Sequence, residues 1–329
     1  MEQSAVIKSK VDISRNLNGY SFPHKLSSQE AEIIIQKVKN VFSDSKYDFT
    51  LHKINELSQS ELDLLEEREL MDDEFLINAN GALLFNSDKT ICILINGLDH
   101  IKIQVIGYND IKGLYKIANE IDDTLESHLE YAFDKDLGYL TTCPVNVGTG
   151  LKVTNTVHIP SIEKLKQVDD YYKIAHKIGV NFKGVYGKTK SILGSLYKIS
   201  NTIMIGRSEE NIIQSVESIS NDLSKREYES REVLKNLEKI NLEDEIFRSL
   251  AILSSARVIT NSELMKCLSN VKLGIEMGYI DDVNLEKVIN FMTGKQPYLK
   301  IISAYDEEDK IERASYIRRE FSLANRNNK

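Results

Sequence analysis

The chain has 329 residues, 41% of them apolar and 28% charged, which excludes wholesale disorder and allows one large core or two modest domains. The net charge of −8 argues against a general nucleic-acid binder, and no apolar run reaches the ~18 residues that span a membrane. Three widely spaced cysteines exclude a disulfide scaffold and a Cys-paired zinc site, and the first ten residues lack the core of a signal peptide.

These exclusions predict a cytoplasmic protein with no metal site and with neither nucleic acid nor membrane among its partners.

The first predicted element of the chain is a helix over 27–42, because Ser27 and Glu30 have the spacing of a capping box. Residues 47–54 predict a strand, and the apolar runs within 82–95 predict a hairpin.

The middle of the chain predicts further strands and two helices. Residues 100–106 alternate like a strand, and amphipathic spacing predicts helices over 110–133 and 161–178. The remaining strands are predicted at 152–159, 180–186 and 196–205. Because neighbouring strands follow short turns, we expect an α+β fold with an antiparallel sheet flanked by helices.

From Ser208 onward the pattern is only helical, with later helices predicted over 241–256, 261–277 and 283–292. We therefore predict a first domain over 1–235 and an all-α domain over 236–329. The helical domain is either a dimerisation unit or a cap on the sheet, and the residues alone leave both open.

Three polar segments are unusual for plain structure. The loop from Cys143 to Lys152 places two glycines around a threonine, which lets backbone N–H groups approach an anion, although most such loops are simply turns. The other two are 96–104, where Asp99 and His100 can equally be structural, and the turn that begins at Lys183.

Together these segments closely resemble the bacterial protein arginine kinases, relatives of the creatine and arginine kinases. The longest matching run is LEYAFDKDLGYLTTCPVNVGTGLK, at 129–152. The other matching runs are SRNLNGYSFP (14–23), DHIKIQ (99–104), VHIPSI (157–162), GSLYKISN (194–201) and NVKLGIEMGYI (270–280).

The resemblance implies a guanidino-kinase catalytic domain with an antiparallel sheet, a helical dimerisation domain and Mg-ATP as the phosphoryl donor. In the family, arginines surround the phosphates of ATP, since a guanidinium grips phosphate oxygens with two parallel hydrogen bonds. Carboxylates hold the acceptor guanidinium and accept its proton.

This sequence departs from the family at most of those positions. The amino-terminal Ser-Arg-x-Arg reads Ser9-Lys10-Val11-Asp12, so one arginine is lysine and the other is an acid. In Asn-Glu-Glu-Asp-His-x-Arg, both glutamates are lost, the second at Leu98, and the arginine is Lys102.

Further along, Gly-Thr-Gly-x-Arg ends in Lys152, and Arg-Gly-x-Tyr-Gly-Glu-Gly-Ser-Glu has Lys183 for its arginine, with Lys188 and Ser191 for its two acids. The substrate loop keeps the family residues Cys143, Asn146, Gly148, Thr149 and Gly150.

Two interpretations follow. Exchange of arginine for lysine retains a charge that attracts phosphate, which allows an active protein arginine kinase using Mg-ATP. Loss of the carboxylates favours a pseudokinase that acts by binding or scaffolding, because removing a general base costs about 10²–10⁴-fold in rate. A kinase for a free guanidino metabolite fits less well, since it needs the same carboxylates.

The lysines support a more specific hypothesis, an anion site for a weakly bound nucleotide or a phosphorylated side chain; the alternatives are solvated lysines and no cofactor at all. A phosphoarginine motif, Arg-Asp-x-x-Arg-Ala, reads Asp309 to Ala314, where only Arg313 and Ala314 match.

The resemblance implies a homodimer, or a heterodimer with a paralogue, and protein partners from the Clp and heat-shock system in protein quality control.

Overall fold

The computed structural model describes residues 4–43, 46–71, 80–185, 192–294 and 307–322. The strands are β1 (Val6–Arg15), β2 (Thr50–Lys53), β3 (Ala82–Phe85), β4 (Ile91–Ile95), β5 (Ile101–Gly107), β6 (Phe133–Asp134), β7 (Gly138–Tyr139), β8 (Leu151–His158), β9 (Val180–Gly184) and β10 (Leu196–Asn201). The helices are α1 (Ser28–Val41), α2 (Gln59–Glu67), α3 (Ile111–Glu126), α4 (Pro160–Lys164), α5 (Val168–Lys177), α6 (Glu209–Ser255), α7 (Asn261–Glu276), α8 (Leu285–Met292) and α9 (Glu307–Glu320).

Eight strands form one sheet in the order β2-β3-β4-β5-β1-β8-β10-β9, and every neighbouring pair is antiparallel. The expected α+β class with an antiparallel sheet is therefore confirmed. The central strand β1 is absent from the sequence-based prediction. The alternation of charged and apolar residues in this run is a strand signal that the prediction did not use, and the charged side chains Lys10 and Asp12 face a polar cavity.

Two predicted helices are shorter than expected. The helix predicted over 110–133 ends at Glu126, and Tyr131 instead forms a β-bridge with Leu17. The helix predicted over 161–178 is two helices, α4 and α5, because Lys166 between them has a left-handed backbone with φ of 58°. Amphipathic spacing continued through both breaks, so periodicity alone could not locate them.

The helical region begins with a single helix that crosses the predicted domain boundary. α6 has 47 residues, and its backbone departs from helical geometry only at Glu238 (φ −138°, ψ 36°). The helix predicted over 241–256 is thus its second half. The capping Ser208 accepts a hydrogen bond from the backbone N–H of Asn211, and no described strand follows Asn201.

One face of the sheet is covered by a single apolar core, and the other face carries two separate apolar cores. The apolar face packs against α1, α3, α5 and the first half of α6 in the main core. The other face carries a small core under α2 at one end and the core of α7, α8 and α9 at the other. Polar side chains occupy the space between these two cores, and this position places the candidate site.

Within the described residues, no helix has both the length and the hydropathy required to cross a membrane.

Candidate active site

The polar face of β1 forms the centre of the site. Val11 and Ile13 belong to the main core, whereas the alternate residues Lys10, Asp12 and Ser14 face the opposite side of the sheet. All five side chains are buried or nearly so. A lysine and an aspartate in a buried strand need partners, and the Lys10 Nζ lies 3.4 Å from the Asp12 Oδ1.

Strand register extends this polar face across the sheet. Asp12 lies opposite Lys152 on β8, and Lys198 on β10 lies opposite Lys183 on β9. Lys102 occupies the corresponding face of β5, on the other side of β1. Residues that are far apart in sequence thus form one lysine-rich surface.

A cavity of about 610 Å³ opens above this surface. Among the described residues, five lysines and four carboxylates line it: Lys10, Lys102, Lys152, Lys183, Lys198, Asp12, Glu66, Glu69 and Asp99. The wall holds two carboxylates that the sequence did not indicate, because the end of α2 contributes Glu66 and the turn after it contributes Glu69.

The carboxylate of Glu69 is held by two lysines. Its Oε2 lies 2.6 Å from the Nζ of Lys198, and its Oε1 lies 3.3 Å from the Nζ of Lys8. Burial by itself would raise the pKa of Glu69, but the attraction of Lys8 and Lys198 outweighs burial and lowers this pKa to about 2. Burial also lowers the pKa of Lys8.

Asp99 supports the cysteine loop. Its Oδ1 accepts hydrogen bonds from the Asn16 Nδ2 and from the backbone N–H of Thr142, each at 2.7 Å. His100 next to it is also structural: its Nδ1 accepts from the backbone N–H of Leu17, and its Nε2 lies 2.9 Å from the carbonyl oxygen of Ser21. Burial lowers the pKa of His100, which favours the neutral ring.

Cys143 and Asn146 both line the cavity, at the two ends of a short 3-10 turn. The Cys143 carbonyl accepts hydrogen bonds from the Thr141 hydroxyl and from the backbone N–H of Asn146. The loop therefore presents a half-exposed thiol to the cavity from a backbone that its own hydrogen bonds hold in place.

The glycines of this loop are required by close packing. Gly148 has φ of 118°, and a Cβ there would lie 2.9 Å from the backbone of Ile205. Gly150 has φ of 63°, and a Cβ there would lie 2.5 Å from the carbonyl oxygen of Ser14. Thr149 between them accepts from the backbone N–H of Leu151. These contacts give the Gly-Thr-Gly sequence a structural reason independent of any anion.

Of the remaining predicted site residues that the structure describes, only Leu98 lines the cavity. Leu98 is 37% exposed and lines the cavity where the resemblance assigns a glutamate. Lys188 and Ser191 lie outside the described residues. Arg313 is 1% exposed and donates from Nη1 to the carbonyl of Ile259 at 2.9 Å, so its guanidinium is buried. Arg313 and Ala314 lie in the C-terminal core, away from the cavity lining.

Sequence reasoning missed Lys8, Lys198 and Glu69. Lys198 carried a usable signal, because the alternation in β10 places it on the same face as Ser200 and therefore beside Lys183. Glu69 carried no such signal, since it follows a short helix and reaches the cavity only through the packing of that helix on the sheet.

Two family models match the chain. The model described as ATP:guanido phosphotransferase, C-terminal catalytic domain, matches residues 31–230. The model described as Protein-arginine kinase McsB C-terminal domain matches residues 239–329.

Curated relatives match nearly the full length. A protein-arginine kinase of Clostridium kluyveri is 36% identical over 97% of this chain and 95% of its own length. Protein-arginine kinases of Geobacillus sp. (strain WCH70) and Bacillus subtilis (strain 168) are 34% and 32% identical, covering 99% and 98% of this chain and 92% and 91% of their own lengths.

Solved structures of guanidino kinases share the fold. A lombricine kinase superposes with a TM-score of 0.59 at 19% identity, covering 68% of this chain and 66% of its own. The duplicated taurocyamine kinase of Schistosoma mansoni with bound transition-state analogue components gives a TM-score of 0.63 at 18% identity, covering 84% of this chain and 47% of its own.

Proposed function

The chain belongs to the family of protein-arginine kinases within the ATP:guanido phosphotransferases, and from this premise we propose that it is a pseudokinase whose cavity binds a phosphate-bearing anion without transferring the phosphoryl group. The observation that carries the proposal is the composition of the cavity. Lysines converge on its floor, and a leucine occupies the position of an expected catalytic glutamate.

The lysines suit binding better than catalysis. An ammonium attracts phosphate as a point charge, but it lacks the planar fork with which a guanidinium fixes two oxygens at once. Phosphoryl transfer depends on holding the phosphate chain in line with the acceptor. A cavity floor built from Lys102, Lys152 and Lys183 therefore favours electrostatic capture with weak orientation.

Among the described residues, two of the carboxylates that line the cavity are already engaged by neighbouring groups. Asp99 is occupied by Asn16 and Thr142, while the carboxylate of Asp12 lies beside Lys10. Leu98 cannot accept a proton from a guanidinium. Because general-base catalysis contributes about 10²–10⁴-fold, its loss supports a protein with little or no turnover.

The alternative is an active protein arginine kinase that transfers the γ-phosphoryl group of Mg-ATP to arginine side chains of proteins. Glu66 and Glu69 favour this alternative, because they line the same cavity as Cys143 and their carboxylates could hold a guanidinium. In that case the enzyme would use a rebuilt acceptor site.

The two functions separate in one pair of experiments. Isothermal titration calorimetry with ATP, ADP and phosphoarginine measures binding, and radiolabelled ATP with casein, run on neutral-pH gels that preserve the P–N bond, measures transfer. We expect binding of at least one of these anions, weakened several-fold by Lys152→Gln, and no labelling. The charge-matched control Lys39→Gln lies on the exposed side of α1 and should bind like the wild type.

Absence of binding for all three anions would contradict the anion site. Labelling of casein that Cys143→Ala abolishes and Lys39→Gln retains would establish the kinase alternative instead.

We also propose that the chain pairs with a second copy or with an intact paralogue, and that it serves protein quality control or a stress response beside Clp and heat-shock proteins. Membership of the protein-arginine kinase family supports the proposed role in quality control or a stress response. Pairing is supported by four exposed apolar side chains at helical spacing along α6: Val233, Leu237, Ile240 and Phe247.

A further inference from the structure

The turn after α2 presents four oxygen atoms, two carbonyl oxygens and both carboxylate oxygens of Glu69, to three ammonium groups. The carbonyl oxygen of Arg68 accepts from the Lys8 Nζ at 3.0 Å, and the carbonyl oxygen of Glu69 accepts from the Lys10 Nζ at 2.7 Å. The Glu69 carboxylate pairs with Lys198 at 2.6 Å. Two consecutive residues thus engage three lysines from β1 and β10.

This arrangement has the chemistry of a bound phosphoryl group. A terminal phosphoryl group likewise offers several oxygens and negative charge to surrounding cations. Glu69 and Lys198 both line the cavity, with side chains 19% and 22% exposed, so the pair lies on the cavity wall within reach of a ligand. Lys8 is 6% exposed and cannot meet a cavity ligand while the turn covers it.

Within the described residues, hydrogen bonds between backbone groups join the turn to α2 and not to the sheet. Glu69 has a left-handed backbone with φ of 59°, which is unfavourable for a residue with a Cβ. The N–H groups of Arg68, Glu69 and Leu70 donate to carbonyls in the last turn of α2, those of Leu64, Glu66 and Leu65. The lysine contacts therefore supply the attraction that draws the turn onto the sheet.

We propose that Glu69 is a displaceable internal occupant of the anion site, which competes with an incoming phosphate for Lys8, Lys10 and Lys198. When a phosphate-bearing ligand binds, the turn at 68–69 leaves these lysines and ligand oxygens take the place of the turn's oxygens. This proposal rests on the proposed function, because it requires the cavity to bind phosphate.

Calorimetry with inorganic pyrophosphate tests the competition. Glu69→Gln removes the internal charge and retains the size of the side chain, so we expect pyrophosphate to bind about tenfold more tightly than to the wild type. Glu56→Gln is the control: it removes the same charge from an exposed residue outside the cavity and should leave the affinity unchanged.

Hydrogen exchange on the wild type gives a second measurement that needs no variant. Adding pyrophosphate should speed amide exchange within 66–71, because the turn is released, whereas a ligand that merely covered the turn would slow it. This readout decides the question even if Glu69→Gln fails to fold.

The outcomes separate the two proposals. Pyrophosphate binding that is equal in the wild type and Glu69→Gln, or that slows exchange at 66–71, would overturn the competition and leave the anion site intact. No binding to either protein, with unchanged exchange, would overturn both. Faster exchange in the wild type, together with tighter binding to Glu69→Gln where that variant folds, supports the displaceable occupant.

Discussion

Glu69 shows how one residue couples charge to folding. A glutamate with an ordinary pKa of 4.5 is held at about 2 here, because Lys8 and Lys198 outweigh the cost of its burial. When folding lowers the pKa of a carboxylate, the carboxylate stabilises the folded protein at every pH above its pKa in the unfolded chain. That stabilisation is lost as the pH falls toward its pKa in the folded protein. The window for Glu69 therefore lies between about 4.5 and about 2.

At this scale we predict a pH-dependent difference between the wild type and Glu69→Gln. The difference in the free energy of unfolding should be constant above pH ~5 and should shrink as the pH falls to ~3, since the wild type alone loses the Glu69 contribution. Urea denaturation of both proteins at several pH values measures it. A difference that stays constant down to pH ~3 would show that Glu69 titrates normally.

At the scale of elements, α6 connects the sheet domain with the helical region through a buried ionic network. Glu227 is fully buried and accepts from the backbone N–H groups of Ser161 and Ile162 at the start of α4. Arg231, one turn later, pairs with Glu227 at 3.1 Å and with Glu276 of α7 at 2.8 Å. One turn of α6 thus fixes α4 and α7 together.

We predict that Glu227→Gln lowers the free energy of unfolding by about 3 kcal/mol, because it leaves a buried guanidinium without one of its two carboxylates. The control is Glu229→Gln in the same helix. Its pair with Arg226 is exposed, and its loss should cost less than about 1 kcal/mol. Urea denaturation compares the two variants, and equal losses would contradict a special role for the buried network.

At the scale of the whole molecule, the exposed apolar side chains of α6 bear on whether the chain pairs with a second copy. Val233 and Leu237 share one side of α6 before the break at Glu238, and Ile240 and Phe247 share one side of it after the break. Ile240 is 81% exposed. Exposed apolar residues that are contiguous indicate an interaction surface, whereas isolated ones are normal on any protein.

We predict that Ile240→Asp shifts the chain from dimer to monomer, measured by analytical ultracentrifugation across a range of concentrations. A charge at the centre of an apolar interface loses its hydration when the two copies meet. The control Ile33→Asp changes a similarly apolar, exposed residue on α1 and should keep the dimer. A wild type that stays monomeric at all concentrations would refute pairing with itself.

Much of the architecture was predictable because its signals are local. Capping residues such as Ser27 and Ser208 act on the first turn of their own helix, and the two apolar runs within 82–95 form the two strands of one hairpin. Family motifs were equally readable as short runs. The helix breaks after Glu126 and near Lys166 could not be predicted from the sequence pattern, because packing rather than periodicity ends those helices.

The sequence by itself determined the fold class, the family and the replacement of arginines and glutamates at the family's positions. Only the tertiary structure decided which charges meet. Lys8 and Glu69 are distant in the chain, and Lys198 joins them through the register of β10 beside β8 and the packing of α2 on the sheet. Interactions between such residues depend on distances through space, which no local pattern encodes.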